Sequence, residues 1–231
     1  SPDSTFNHDF GGLNGPPPVS AEPAPSPTIL RYSAPQGNSF SWANITFTLD
    51  TNLPSNSYTS TTITSFPDNI IAHNPTQLTE VTIGNSVTSI GVSVFNGGTA
   101  LQSLVIGNSV TSIAGCAFEN CLLLSSVTFT PTSKLLSIGD RAFFNCPALQ
   151  SIIIPNSVTS IGVNAFCGTG LRSIIIPDSV TSISLNAFNG TALQSIVISN
   201  SVTSIGEAAF ANCNLLSSVT FTPTSKLLSI G

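Results

Sequence analysis

The chain has 231 residues, of which 41% are hydrophobic and 6% are charged, and its formal net charge is −5. The apolar content is sufficient for a folded core, whereas the five basic residues form no patch that could hold phosphates, which argues against a nucleic-acid partner. No apolar run approaches the roughly 20 residues of a transmembrane helix, so we predict no membrane span.

The first 37 residues are rich in proline and contain few bulky apolar side chains. Methionine is absent and no signal-peptide pattern follows Ser1, so we expect a mature protein after signal removal or an excised fragment. A proline run favours extended polyproline II and supplies no core of its own. We therefore predict that residues 1–37 form either a linker or an extended arm that lies on another subunit. The proline run consists of Pro16, Pro17 and Pro18.

Residues 38–77 change to an alternating apolar and polar pattern, which predicts one or two strands. They precede a repeated array, whose first unit needs a cover because an open end exposes backbone and core. The segment Ile63-Thr-Ser-Phe66 echoes an element of the repeats. We predict a β-type N-terminal cap with a degenerate coil, in which Trp42 covers the end of the core.

From residue 78 to residue 231 the chain repeats one pattern seven times, with a period of 22 to 25 residues. Each repeat is one coil of a solenoid, which cannot bury its apolar face alone and forms a continuous core by stacking on its neighbours. We number the coils 1 to 7 by their opening leucines: Leu78, Leu101, Leu124, Leu149, Leu171, Leu193 and Leu216.

Each coil begins with apolar residues at a period of two, such as Val81 and Ile83, which predicts a short strand. A glycine and an Ala-Phe pair follow, and we interpret them as a turn into a single helical turn with the phenylalanine inside. Stacked phenylalanines would add about 0.5–1.5 kcal/mol per pair beyond their burial. The predicted core ladder consists of Phe95, Phe118, Phe143, Phe166, Phe188 and Phe210.

The coil sequence Leu149-Gln-Ser-Ile-Ile-Ile-Pro-Asn-Ser-Val-Thr-Ser-Ile-Gly-Val-Asn-Ala-Phe166 resembles the BspA-like class of leucine-rich repeats. The resemblance covers residues 78–231 and implies a curved leucine-rich-repeat solenoid with a parallel sheet on one face. It also implies an extracellular protein, because members of the class are typically secreted or lie at the cell surface, where they are often linked to adhesion. Ala114 and Ser184 replace the usual glycine, which affects local loops.

Residues 123–139 recur unchanged as residues 215–231, which indicates duplication of a four-coil block. The sequence then ends within coil 7, so we expect an apolar edge at Leu227, Leu228 and Ile230 that another molecule or further chain covers.

Two cysteines occupy the same slot of neighbouring coils, three residues after the repeat phenylalanine. Strands in adjacent coils lie about 4.8 Å apart, which permits a disulfide between Cys121 and Cys146. The alternative is that this slot holds a small buried apolar residue, as a free cysteine often is.

Two Asn-x-Ser/Thr sequons are candidates for N-glycosylation, at Asn44 and Asn189. Five coils contain a second extended segment with the sequence Val-Thr-Ser, and the threonines of these segments form a separate row. It predicts either a hydrogen-bonded polar ladder or a flat surface that matches ice or a polysaccharide. The row consists of Thr88, Thr111, Thr159, Thr181 and Thr203.

No constellation of residues predicts catalysis. The histidines His8 and His73 have no acidic or cysteine neighbour at metal-ligand spacing, the acids are scattered singly, and no G-x-S-x-G elbow occurs. We predict no enzyme activity, no cofactor and no metal.

The main functional hypothesis is a structural extracellular protein that self-assembles head-to-tail into a surface layer, hair or fibril. Its predicted partners are copies of itself, with Ile29 and Leu30 at the end of the arm as candidate contacts beside the proline run and the apolar edge. The alternative is a monomeric cell-surface adhesin that binds a matrix protein or glycan through the concave sheet.

Overall fold

The computed structural model describes residues 26–42 and 45–231, which form a solenoid of stacked coils behind an N-terminal cap. These residues contain eighteen strands and no helix. In chain order the strands are β1 (Thr28–Tyr32), β2 (Ser39–Trp42), β3 (Ile45–Leu49), β4 (Ser57–Ser60), β5 (Ser65–Phe66), β6 (Leu78–Ile83), β7 (Ser89–Ile90), β8 (Ser103–Ile106), β9 (Ser112–Ile113), β10 (Ser126–Phe129), β11 (Ser137–Ile138), β12 (Ser160–Ile161), β13 (Ser173–Ile175), β14 (Ser182–Ile183), β15 (Ser195–Ile198), β16 (Ser204–Ile205), β17 (Ser218–Phe221) and β18 (Ser229–Ile230).

The coils build parallel sheets on two faces of the solenoid, where the family resemblance implied a sheet on one face. The longer strands form the main sheet, in the order β10-β8-β6-β1-β4-β3-β2 and, after a break, β13-β15-β17. The two-residue strands form the second sheet, in the order β12-β11-β9-β7-β5 and then β14-β16-β18. Equivalent residues of successive coils are in register, as Val127 is with Leu104. The repeat period therefore translates directly into the sheet register.

The cap continues the main sheet with antiparallel strands. Strand β1 pairs with β6 of coil 1 on one side and with β4 on the other. Trp42 is 6% exposed and packs against Phe66 and Phe95, with ring centroids 5.2 and 5.7 Å away. Phe66 itself pairs with Ile90 of coil 1. The segment around Phe66 therefore forms the degenerate coil, and Trp42 covers the first phenylalanines of the column.

The Ala-Phe segment is a hydrogen-bonded turn, and the prediction of a helical turn there is wrong. In each of coils 1 to 6 the residues two before and two after the phenylalanine have positive φ, between 53° and 73°. Left-handed residues end a helix, and they favour Gly and Asn. The first set is Ser93, Cys116, Arg141, Asn164, Asn186 and Ala208, and the second is Gly97, Asn120, Asn145, Gly168, Gly190 and Asn212.

These turns stack into a third ladder that runs unbroken through coils 1 to 6. The Phe95 N–H donates to the Ala117 carbonyl at 2.8 Å, and the same bond recurs down to that between Phe188 and Ala209. The six phenylalanines lie in one column, with neighbouring centroids 5.1–5.6 Å apart and ring planes within 9° of parallel. On the phenylalanine side, hydrogen bonding between successive coils is therefore unbroken from coil 1 to coil 6.

Candidate binding surface

The outward face of the main sheet carries a stripe of β-branched side chains, one from each coil. Strand alternation puts the fourth residue after the opening leucine outside, while its two neighbours face the core. Ile153 is 87% exposed and Ile175 is 70% exposed, in adjacent coils. We call this row the outer stripe. It consists of Thr82, Val105, Thr128, Ile153, Ile175, Val197 and Thr220.

The main sheet is interrupted at coil 4, in the middle of this stripe. No backbone hydrogen bond joins residues 126–129 to residues 151–155 in the described chain, although the second sheet continues there with Ser137 paired to Ser160. Coil 3 is two residues longer than coil 2 between its two strands, owing to the Thr-Pro-Thr-Ser-Lys segment that starts at Thr130. Because coil 3 is longer, residues 151–155 are displaced relative to residues 126–129.

A cleft of about 600 Å³ lies at this interruption. One wall is β10 with the following turn, and the other is formed by residues 151–157 of coil 4. Phe129 occupies the inward slot but is half-buried, whereas its counterpart Ile106 is fully buried. A smaller cleft of about 260 Å³ lies beside Ile175 and includes Asp178. The exposed isoleucines are thus flanked by two depressions.

The electrostatics of this face are nearly neutral. The lining of the larger cleft contains no ionisable side chain, and that of the smaller contains one, Asp178. The ion pair between Arg31 and Glu80 lies at the cap end of the main sheet, away from coils 4 and 5, and the pair between Arg141 and Glu119 joins two of the phenylalanine turns. The surface is therefore suited to apolar contacts and to hydrogen bonds with neutral groups.

The threonine row is used within the fold. The Thr111 hydroxyl donates to the Thr88 carbonyl of the preceding coil at 3.1 Å, and Thr203 donates to Thr181 at the same distance. Thr159 bonds the Leu136 carbonyl in the same way. These bonds match a polar ladder, and they engage the hydroxyl donors that a repetitive ligand would need.

The two cysteines with a predicted disulfide have free thiols, which are not bonded to each other. The Cys121 thiol donates to the Phe95 carbonyl at 3.3 Å, and the Cys146 thiol donates to the Phe118 carbonyl at 3.2 Å. Burial raises the pKa of Cys121 far above its ordinary value and that of Cys146 to about 12. Both residues serve as small buried side chains whose thiols cap the phenylalanine turns.

Of the two sequons, Asn44 lies outside the described residues. Asn189 donates to the Asn186 side chain at 2.9 Å and accepts from Asn212 at 3.0 Å, while Thr191 is 4% exposed. A glycan on Asn189 would have to break this asparagine ladder. The structure gives this sequon a role in stacking the coils.

The candidate self-assembly residues fall into three groups. Pro16, Pro17 and Pro18 lie outside the described residues. Leu30 is fully buried and Ile29 half-buried in β1, so the cap itself uses them. In the last coil, Leu227 is half-buried, while Leu228 and Ile230 are 86% and 68% exposed.

The sequence analysis missed the outer stripe. Its signal was present, because coils 4 and 5 carry three isoleucines in a row, Ile152–Ile154 and Ile174–Ile176, where coils 1, 3 and 7 have threonine in the middle. An isoleucine at an outward strand position has no role in the core, so that position marks a surface.

The residues that the structure describes hold no group of three or more His, Cys, Asp or Glu placed to bind a metal. Among the same residues, no helix has the length and apolar character needed to cross a membrane.

Sequence comparison matches the model of the BspA type leucine rich repeat region over residues 64–189 and 136–231, in six copies. No curated protein sequence matches the chain. The family match thus begins in the degenerate coil and extends to the end of the chain.

Several solved structures are similar. A leucine-rich repeat protein of T. pallidum has 26% identity and a TM-score of 0.60, with 67% of this chain and 72% of that chain covered. A leucine-rich repeat protein of Bacteroides ovatus has 24% identity and a TM-score of 0.53, over 80% and 54%. A leucine-rich cell surface protein of Faecalibacterium prausnitzii has 28% identity and a TM-score of 0.48, over 79% and 54%. The chain spans about half the length of the latter two.

Proposed function

Since the chain belongs to the BspA-type leucine-rich repeat family, we propose that it is a non-enzymatic surface protein whose main sheet binds an extracellular partner. The repeats present side chains at fixed spacing on a rigid support, which is how solenoids build extended binding faces. Location outside the cell is part of this proposal, as the resemblance to the BspA-like class implies. A matrix protein is the partner we favour over a glycan.

The outer stripe carries the proposal. Single exposed apolar residues are normal on a protein surface, but Ile153 and Ile175 occupy the same slot of adjacent coils and are mostly exposed. The Arg172 N–H donates to the Gln150 carbonyl at 3.1 Å, which joins the two coils just before these isoleucines. We therefore treat the two side chains as one patch. Serines in the adjacent outward slot, such as Ser151 and Ser173, give this patch a polar rim. A patch of this kind marks an interaction site.

Binding of the purified chain to an array of extracellular matrix proteins and glycans tests the proposal. We expect saturable binding to a matrix protein, and a loss of affinity of about tenfold for each of Ile153→Ser and Ile175→Ser, since a hot-spot side chain contributes more than 1 kcal/mol. Ile71→Ser is the matched control, because Ile71 is 61% exposed but lies off the stripe. Equal losses in all three variants, or no binding by the wild type, would contradict the role of the stripe.

Head-to-tail self-assembly is the second candidate, and the edge strand β2 favours it. Within the described chain β2 pairs with β3 alone, so its outer edge presents free main-chain groups to another copy. A heterologous contact of this edge that does not close would build a filament. We expect Ser41→Lys on this edge to prevent assembly and Thr88→Lys, on the second face, to leave it unchanged. Sedimentation velocity at high concentration measures this, and a wild-type monomer would rule it out.

A further inference from the structure

The break in the main sheet leaves the edge of β10 facing residues 151–155 of coil 4, which belong to no sheet, across the larger cleft. On its other side β10 pairs with β8 in register. Residues 151–155 keep the alternating exposure of a strand, with Ile152 and Ile154 inside and Ser151 and Ile153 outside. A strand edge without a partner has free N–H and C=O groups along its length.

The direction of the hydrogen bonds identifies the groups on the β10 side. The Thr130 N–H donates to the Ile106 carbonyl of coil 2 at 2.9 Å. In a parallel ladder, successive residues bond alternately to the strands on either side. Thr130 and every second residue before it therefore face coil 2, and Val127 and Phe129 direct their N–H and C=O groups into the cleft.

The same register identifies the groups on the coil 4 side. Ser151 and Ile153 are the counterparts of Ser126 and Thr128, which pair with coil 2. Their N–H and C=O groups consequently turn toward coil 3, where no backbone partner meets them in the described chain. Both walls of the cleft thus have the donors and acceptors that the two edges of one extended strand require.

We propose that this cleft binds one extended peptide segment of a partner protein by strand addition, which rests on the proposed binding role of the main sheet. Main-chain hydrogen bonds give such a site its affinity, and side-chain pockets give it specificity. The lining has no ionisable side chain, and the half-buried Phe129 offers an apolar contact. The segment that fits is neutral, with β-branched and hydroxyl side chains and no proline on its bonding edges.

A peptide from the chain itself provides the probe. Residues 194–200, Gln-Ser-Ile-Val-Ile-Ser-Asn, contain β15, which pairs with a parallel strand on each side in the array. We would use this peptide, acetylated and amidated, with the full-length protein. The matched control is the same peptide with backbone N-methyl groups at the positions of Ser195 and Val197, since it retains every side chain but lacks two donors.

Amide hydrogen exchange with residue resolution is the measurement. At a peptide concentration about ten times Kd, exchange at Val127, Phe129, Ser151 and Ile153 should slow by about elevenfold, because only the free fraction exchanges. Exchange at Ile113, in the second sheet, should not change. Absence of protection at the four residues, or equal protection by the N-methylated peptide, would overturn strand addition. Protection by a cello-oligosaccharide and not by the peptide would also overturn it, in favour of a glycan site.

This experiment fails separately from the matrix-binding test. Matrix binding that depends on Ile153 and Ile175, without peptide protection, would overturn strand addition and leave the proposed function intact. Peptide protection by the wild type, with matrix binding unaffected by Ile175→Ser, would support the strand-addition site and contradict the outer stripe as the main contact.

Discussion

Residues 123–139 and residues 215–231 have the same amino acids but different neighbours, and their comparison separates what sets the shape of a coil from what buries it. Most of the backbone bonds to the preceding coil recur in both segments. Thr130 donates to Ile106 at 2.9 Å, as Thr222 donates to Ile198 at 3.0 Å. Both segments contain a left-handed threonine, with φ of 61° and 66°.

Burial differs between the two segments because coil 4 follows the first, whereas the described chain places no coil after the second. Ile138 is 1% exposed, and Ile230 is 68% exposed. Val127 and Val219 are 8% and 47% exposed, although Val127 borders the cleft. The sequence and the preceding coil therefore fix the conformation of a coil, and the following coil supplies much of its burial. Experiments on matched pairs of residues test this division.

The largest difference is expected for Ile138→Ala and Ile230→Ala. Removal of a buried isoleucine side chain costs about 2–5 kcal/mol, whereas the same change at an exposed position costs about 0.5 kcal/mol or less. Urea denaturation followed by circular dichroism gives both free energies of unfolding. A loss at Ile230 as large as at Ile138, especially one that depends on protein concentration, would mean that residues 215–231 are covered in solution.

Thiol labelling extends the comparison to the residues that precede each segment. Cys121 is fully buried and its counterpart Cys213 is half-buried. We expect Cys213 to react with a maleimide faster by about tenfold or more, equivalent to about 1.4 kcal/mol of opening free energy. Burial raises the pKa of Cys121, so its rate should stay low up to pH 9, where an ordinary thiol ionises. Peptide mapping resolves the sites, and equal rates would refute the difference in burial.

The smallest effect is expected where the two segments agree. The side-chain hydroxyls of Thr130 and Thr222 are both buried without a hydrogen-bond partner. Replacement of an unpaired hydroxyl by a methyl group removes its desolvation cost. Thr130→Val and Thr222→Val should each raise the free energy of unfolding, by about 1 kcal/mol or less. Opposite signs in thermal denaturation would show that the following coil affects this position as well.

Periodicity predicted the solenoid and the column of phenylalanines, because each depends on a residue type that recurs at a fixed slot. The family was predicted from the resemblance of the coil sequence to the BspA-like class. The helical turn was predicted wrongly for a local reason. The left-handed positions include Asn120, Asn145 and Asn164, and the abundance of asparagine on both sides of the phenylalanine was the signal.

The candidate site was harder to predict. The outer stripe required knowledge of which strand residues face outward, and the triple isoleucines of coils 4 and 5 were a usable clue. The break in the sheet depends on how the two additional residues of coil 3 displace one coil against the next. The period of the repeat gives no measure of that displacement. The cleft at Phe129 and Ile153 therefore could not be predicted from the sequence.

The backbone ladder beside the phenylalanine column has a net dipole along the axis of the solenoid. In each turn three N–H groups, such as those of Ser93, Phe95 and Gly97, point to the next coil, and the carbonyls that they meet point back. Each peptide unit carries a dipole of about 3.5 D, and aligned units add. The polarity is opposite to that of an α-helix, since the positive end faces later coils. This ladder is therefore polar along the solenoid axis without a charged side chain, while N–H groups on the other faces, such as those of Thr111 and Ala114, donate to the preceding coil.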